Sequence, residues 1–126
     1  MVIYYKKEIK KMTYLKDSSY RTFLKIENGR VCDYPSYHTR YLISNDKLTD
    51  FSGKILCRFE GDRVKDFSGR ILIIVSMDTV KTLGGQIIAK YDTTTIKTLS
   101  GQIQYRIDGF LSRSEWMALF AILYAV

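Results

Sequence analysis

The chain has 126 residues, 46% of them hydrophobic, and a mean hydropathy of -0.13. That composition fits one domain with a modest core and excludes a disordered chain or a string of membrane helices. The formal net charge of +7 admits nucleic acid or an anionic surface as a partner, set against the plainer reading of a solvated surface with a basic N-terminal segment.

Residues 1–16 carry Lys6, Lys7, Lys10, Lys11 and Lys16 against Glu8. Val2 to Tyr5 read as extended, whereas Tyr5, Ile9, Met12 and Leu15 keep helical spacing, so the rest of this segment stays open between strand and helix. No secretory signal is visible in MVIYYKKEIKK, and a cytoplasmic protein is the expectation. Cys32 and Cys57 do not form a disulfide framework, which agrees with a reducing compartment.

Asp17-Ser18-Ser19 reads as a turn, and Asn28-Gly29 as a hairpin turn. From here a repeat takes shape. Gly53, Gly69, Gly85 and Gly101 stand sixteen residues apart. After each glycine, apolar residues alternate: Ile55, Cys57 and Phe59; Ile71, Ile73 and Val75; Ile87, Ala89 and Tyr91; Ile103, Tyr105 and Ile107. A period of two rich in β-branched and aromatic residues predicts a strand. A polar turn follows, then a shorter strand anchored by Val64, Val80 or Ile96, with Phe67, Leu83 or Leu99 as its apolar mate. Fainter copies precede these, with Tyr41, Ile43, Leu48 and Phe51 in the same columns, and before them Leu24, Ile26, Val31 and Tyr34.

The sequence therefore predicts a mainly β single domain, 1–126, of short hairpins arranged radially round an axis. Degraded repeats occupy 22–53, regular repeats 54–101, and a last strand 102–107. One hairpin buries too little surface to fold alone, so the copies must share a core. The count is about five copies plus a sixth opening strand.

Lys65, Lys81 and Lys97 recur on the outward face. They either form a row for an anion or keep strand edges from pairing. Asp50 and Asp66 share a column with Thr82 and Thr98; all four suit hydrogen bonding in a turn better than catalysis.

The end of the chain changes character. Ser112-Arg113-Ser114-Glu115 is a capping box, so a helix is expected over 113–125. Trp116, Leu119, Phe120 and Leu123 define one face and further apolar residues widen it. About 16 Å long, such a helix is too short to span a membrane. It either plugs the β body or offers an interface.

The repeated I-x-x-x-[FVYI] and [VI]-K-[DT]-[FL]-[SG]-G motifs, with the helix after Asp108-Gly109, resemble the small uncharacterised bacterial proteins described as four-fold β-flowers. The likeness covers roughly 22–125. It implies hairpins about a pseudo-rotational axis and brings no catalytic residues with it.

No phosphate-binding glycine loop, zinc spacing or nucleophile elbow is present. His38, the one histidine, sits in a degraded turn and reads as a surface residue. No catalytic or metal site and no cofactor is expected. The leading reading is a non-enzymatic repeat domain acting through protein contacts or self-association. The alternative is weak nucleic-acid or anion binding through Lys65, Lys81, Lys97 and the N-terminal Lys6, Lys7, Lys10 and Lys11.

Overall fold

A computed structural model describes residues 12–126 of the chain. Twelve strands come in order: β1 (Met12–Asp17), β2 (Thr22–Glu27), β3 (Arg30–Asp33), β4 (Thr39–Ile43), β5 (Lys47–Asp50), β6 (Ile55–Glu60), β7 (Arg63–Lys65), β8 (Ile71–Val75), β9 (Thr79–Lys81), β10 (Ile87–Tyr91), β11 (Thr95–Lys97) and β12 (Ile103–Asp108). One helix, α1 (Arg113–Tyr124), follows. Each strand pairs antiparallel with its sequence neighbours, and β1 pairs with β12, so the hairpins close into a barrel. Among the described residues closure leaves no unpaired strand edge for another chain to extend.

The sixteen-residue unit is one hairpin of this barrel, as in β6–β7, β8–β9 and β10–β11. The last hairpin is assembled from the two ends of the described chain. Strand β12 supplies its opening strand and β1 its short one, with Leu15 opposite Ile107 and Lys16 opposite Arg106. Leu15-Lys16-Asp17-Ser18-Ser19-Tyr20 thus stands where Val64-Lys65-Asp66-Phe67-Ser68-Gly69 stands elsewhere. The barrel holds six complete hairpins, one more closed unit than the repeat count along the sequence. At this seam Gly109 (φ +130°) passes so close to β1 that a Cβ would lie 2.7 Å from Thr13 Oγ1 and 2.8 Å from the Met12 carbonyl oxygen, which excludes a side chain.

Side chains alone fill an eight-stranded barrel. Twelve strands enclose a wider lumen, and α1 occupies it. Met117, Ala118, Leu119, Phe120 and Ala121 are each at most 1% exposed. Consecutive helical residues step round the axis by about 100°, so five in a row cover the whole circumference. The helix is therefore surrounded rather than laid on one face. Around it stand Leu15, Val31, Leu48, Val64, Val80 and Ile96, the same column of all six short strands, every one of them at 0% exposure. This burial assigns the helix to the core and leaves its central turn no face for a partner.

Both ends of the helix are tied to the wall. The Ser112 Oγ accepts the Glu115 N–H at 3.3 Å, and the Glu115 carboxylate accepts the Ser112 N–H at 2.9 Å. The Arg113 guanidinium donates to the Val75 carbonyl at 3.0 Å, at the end of β8. At the other end the Tyr124 hydroxyl donates to Gln104 Oε1 at 3.3 Å, at the start of β12. Tyr91, Trp116, Phe120 and Tyr124 form an aromatic ladder, with centroid distances of 4.7 Å from Tyr91 to Phe120 and 5.5 Å from Trp116 to Phe120. Burial pushes the Tyr124 hydroxyl up to about 12.

One expected column is not core. Phe51, Phe67, Leu83 and Leu99 are 73%, 84%, 63% and 59% exposed. The short strands end just before them, so each occupies the first corner of a turn and is left exposed to solvent. Truncating Phe120 to alanine should leave a cavity in the lumen and cost about 3–5 kcal/mol. Phe67→Ser, as a surface change, should stay within about 0.5 kcal/mol of the parent. Urea unfolding of the two variants checks this; equal losses would contradict the assignment of helix and tip.

Candidate contact surfaces

The two rims of the barrel differ in chemistry. The glycine rim gathers the turns 17–21, 33–38, 50–54, 66–70, 82–86 and 98–102. In its regular copies Asp50 Oδ1 accepts the Ser52 N–H, the Ser52 hydroxyl and the Lys54 N–H at 2.9, 2.7 and 3.0 Å. Asp66 does the same with Ser68 and Arg70. Thr82 and Thr98 accept the Gln86 and Gln102 N–H through their hydroxyls. The chain then turns at Gly53, Gly69, Gly85 and Gly101, all near φ +90°, a conformation glycine adopts without steric cost. In the degraded copies Tyr20 and Tyr37 take that position with φ of 65° and 59°. Asp50 and Asp66 are therefore turn-builders, held below the usual carboxylate range first by the serine hydroxyls and then by the backbone N–H groups.

These turns present Tyr34, Phe51, Phe67, Leu83 and Leu99 on five adjacent hairpins, the first of them 38% exposed and the rest more. Cations follow directly at Arg21, Lys54 and Arg70, with Arg40 beside Asp33 at 3.4 Å. The rim is an apolar crown whose cations are matched by the carboxylates of Asp17, Asp33, Asp50 and Asp66 in the same turns.

The opposite rim is acidic. Asp46, Asp62 and Asp78 recur there nine residues after Tyr37, Gly53 and Gly69. Their carbonyls accept the N–H groups of Phe59, Val75 and Tyr91, which pins each loop to the next hairpin. Beside α1 an open cleft of about 870 Å³ is lined by Val75, Met77, Tyr91 and Trp116, with Asp62, Asp78, Asp92 and the cation Arg113 around it. Met77 is 94% exposed at its edge. The Tyr91 hydroxyl donates to the Ser76 carbonyl; burial raises its pKa while Arg113 opposes the rise.

The outer wall carries a basic arc. Lys65, Lys81 and Lys97 lie half-buried on β7, β9 and β11. The register sets Arg58 opposite Lys65, Lys47 opposite Arg58, Lys90 opposite Lys97 and Lys16 opposite Arg106. Directly opposed residues share one face, and like charges there repel. Glu60 relieves Lys65 at 3.1 Å and Asp108 relieves Lys16 at 3.4 Å. The Arg106 guanidinium lies 4.1 Å over the Tyr20 ring, and its buried Nε has no hydrogen-bond partner among the described residues.

Lys6, Lys7, Lys10 and Lys11 lie outside the described residues. Trp116 and Leu123 are half-buried and Leu119 and Phe120 fully enclosed. Cys57 is buried, which raises its thiol to about 11; Cys32 is half-buried, near the Thr39 hydroxyl. His38 is exposed. Among the described residues no group of three His, Cys, Asp or Glu side chains is placed to hold a metal ion, and no helix is long and apolar enough to cross a membrane. No protein-family model matches the chain, and comparison with curated proteins and with solved structures returns no match.

The acidic column and the closing arc residue Lys16 were missed by sequence reasoning. Their signals were present: the ninth-place aspartates, and LKDSSY as a sixth copy of VKDFSG. The turn carboxylates have a consequence for pH. A depressed folded-state pKa gives stability that is complete above the ordinary carboxylate value and is lost as pH falls through the folded value. Asp50→Asn/Asp66→Asn should therefore flatten the acid limb of the stability profile below about pH 4. Urea midpoints measured across that range check it; an unchanged acid limb would contradict the role of these turns.

Proposed function

We propose that this chain is a non-enzymatic contact domain that binds protein, beginning with a second copy of itself, through the glycine rim. The observation that carries the reading is the crown of exposed apolar tips. Exposed apolar groups clustered at one end of a charged surface mark an interaction site. Here they stand on turns already fixed by side-chain and backbone hydrogen bonds, so little ordering cost opposes binding. The β-flower resemblance supports hairpins about an axis and attaches no activity to them.

A concentration series by size exclusion with light scattering tests this. The parent should rise above 14.7 kDa, whereas Phe51→Ser/Phe67→Ser/Leu83→Ser/Leu99→Ser should remain at monomer mass with its melting temperature preserved. A parent that stays monomeric at every concentration would overturn the reading.

The like-charged register pairs on the wall favour a second reading, binding of a polyanion along Lys47, Arg58, Lys65, Lys81, Lys90 and Lys97. Its signature is nucleic-acid affinity that falls linearly in log salt, unaffected by the rim substitutions.

A further inference from the structure

The outer wall holds two equivalent cation sites, and one of them lacks its carboxylate. Lys25 on β2 and Arg106 on β12 occupy the same place in the repeat, two residues before Glu27 and Asp108. Each lies beside the tyrosine that takes the glycine position in the turn following its own hairpin. The Lys25 ammonium is 4.9 Å from the centroid of the Tyr37 ring, and the Arg106 guanidinium 4.1 Å from that of Tyr20. At the first site Glu27 completes the cluster, its carboxylate 2.7 Å from the Lys25 ammonium. At the second Asp108 pairs instead with Lys16, at 3.4 Å. Among the described residues no carboxylate pairs with Arg106, and its buried Nε has no hydrogen-bond partner.

We propose that the pocket at this seam binds a phosphate group, free or carried by a nucleotide, with Arg106 and Lys16 as its cations. The pocket is about 240 Å³, and its lining includes Lys16, Tyr20, Thr94, Thr95, Arg106 and Asp108. The register sets Lys16 directly opposite Arg106, with Thr95 on the other side. Opposed Cβ atoms stand about 5 Å apart, close enough for one tetrahedral anion to bridge both cations. The Thr94 and Thr95 hydroxyls donate to Asp92, so the donors left to the pocket are the two cations. They face one carboxylate, and the Asp108 side chain is 65% exposed, where solvent weakens its pull on Lys16. A half-buried guanidinium without an acceptor is costly. A phosphate supplies two parallel N–H···O bonds to it and relieves the repulsion between the opposed cations.

Tyr20 adds a second kind of contact. The regular repeats have glycine where Tyr20 stands at φ 65°, a conformation that strains a bulky residue. Its ring is 66% exposed, so beyond the face turned to Arg106 it offers a stacking surface beside the cations. Cations next to an open aromatic ring suit a phosphate joined to a base. The inference is independent of the glycine rim. It differs from the polyanion reading in resting on one site rather than on the summed charge of the wall.

Calorimetric titration of the full chain with inorganic phosphate tests it. The parent should bind at one site per chain. Arg106→Gln should weaken binding about tenfold or more, the worth of a charge-assisted hydrogen bond, and Lys16→Gln should weaken it as well. Lys25→Gln, the same change of charge at the equivalent site, should leave the affinity unchanged. Melting temperatures near that of the parent are the control for folding; should Arg106→Gln fail to fold, the comparison of Lys16→Gln with Lys25→Gln decides alone. Adenosine monophosphate distinguishes the source. An affinity above that of phosphate, lost in Tyr20→Gly, assigns the site to a nucleotide, whereas equal affinities assign it to free phosphate. A parent that binds neither probe would overturn the inference. Equal losses in Lys25→Gln and the seam variants would overturn it too, leaving only the diffuse attraction of a basic wall.

Discussion

A ring of twelve strands encloses more space than its own side chains can fill, and the helix in that space is the condition on which the other features depend. The walls are thin: short strands of three or four residues contribute a single buried apolar residue each. Such strands cannot form a core by packing against one another across a wide lumen. They form one by packing inward on Leu119, Phe120 and their neighbours, so barrel closure and helix burial must be gained together. The same condition explains the composition of α1. A helix exposed on one side needs a polar face, whereas this one has wall on every side through its middle.

Much of this is legible in the sequence. A period of two after each glycine specifies the strands, the sixteen-residue spacing specifies equal hairpins, and the serine and glutamate of the capping box fix where the helix begins. Two things were hidden. The sixth hairpin is split between β12 and β1, and LKDSSY lacks both the aromatic tip and the glycine that mark its relatives. The apolar residues at the turns were hidden for a different reason. Phe67 and Val64 lie three apart and are equally hydrophobic; only the end of strand β7 at Lys65 separates a buried position from an exposed one. Hydrophobicity reports what a residue prefers, and here the turn's hydrogen bonds override that preference.

The contact surfaces follow from the repeat as well. Every hairpin has one turn at each rim, so a residue type repeated at one place in the unit becomes a ring or arc on the molecule. The place after Asp50 and Asp66 yields the apolar crown, the ninth place after Gly53 and Gly69 yields the acidic rim, and the short strands' last residues yield the lysine arc. A single repeated sequence thereby gives a barrel whose two ends differ, one tipped with exposed apolar residues and the other with carboxylates.

Hydrogen exchange followed as a function of protein concentration tests the central claim most directly, because it reports the core and the rims in one experiment. The account predicts that amides of 117–121 exchange slowly at every concentration. It also predicts that added protection on raising the concentration is concentrated in the turns of the glycine rim, 50–54, 66–70, 82–86 and 98–102. Fast exchange in the helix beside a protected wall, or concentration-dependent protection that spares the glycine rim, would contradict it.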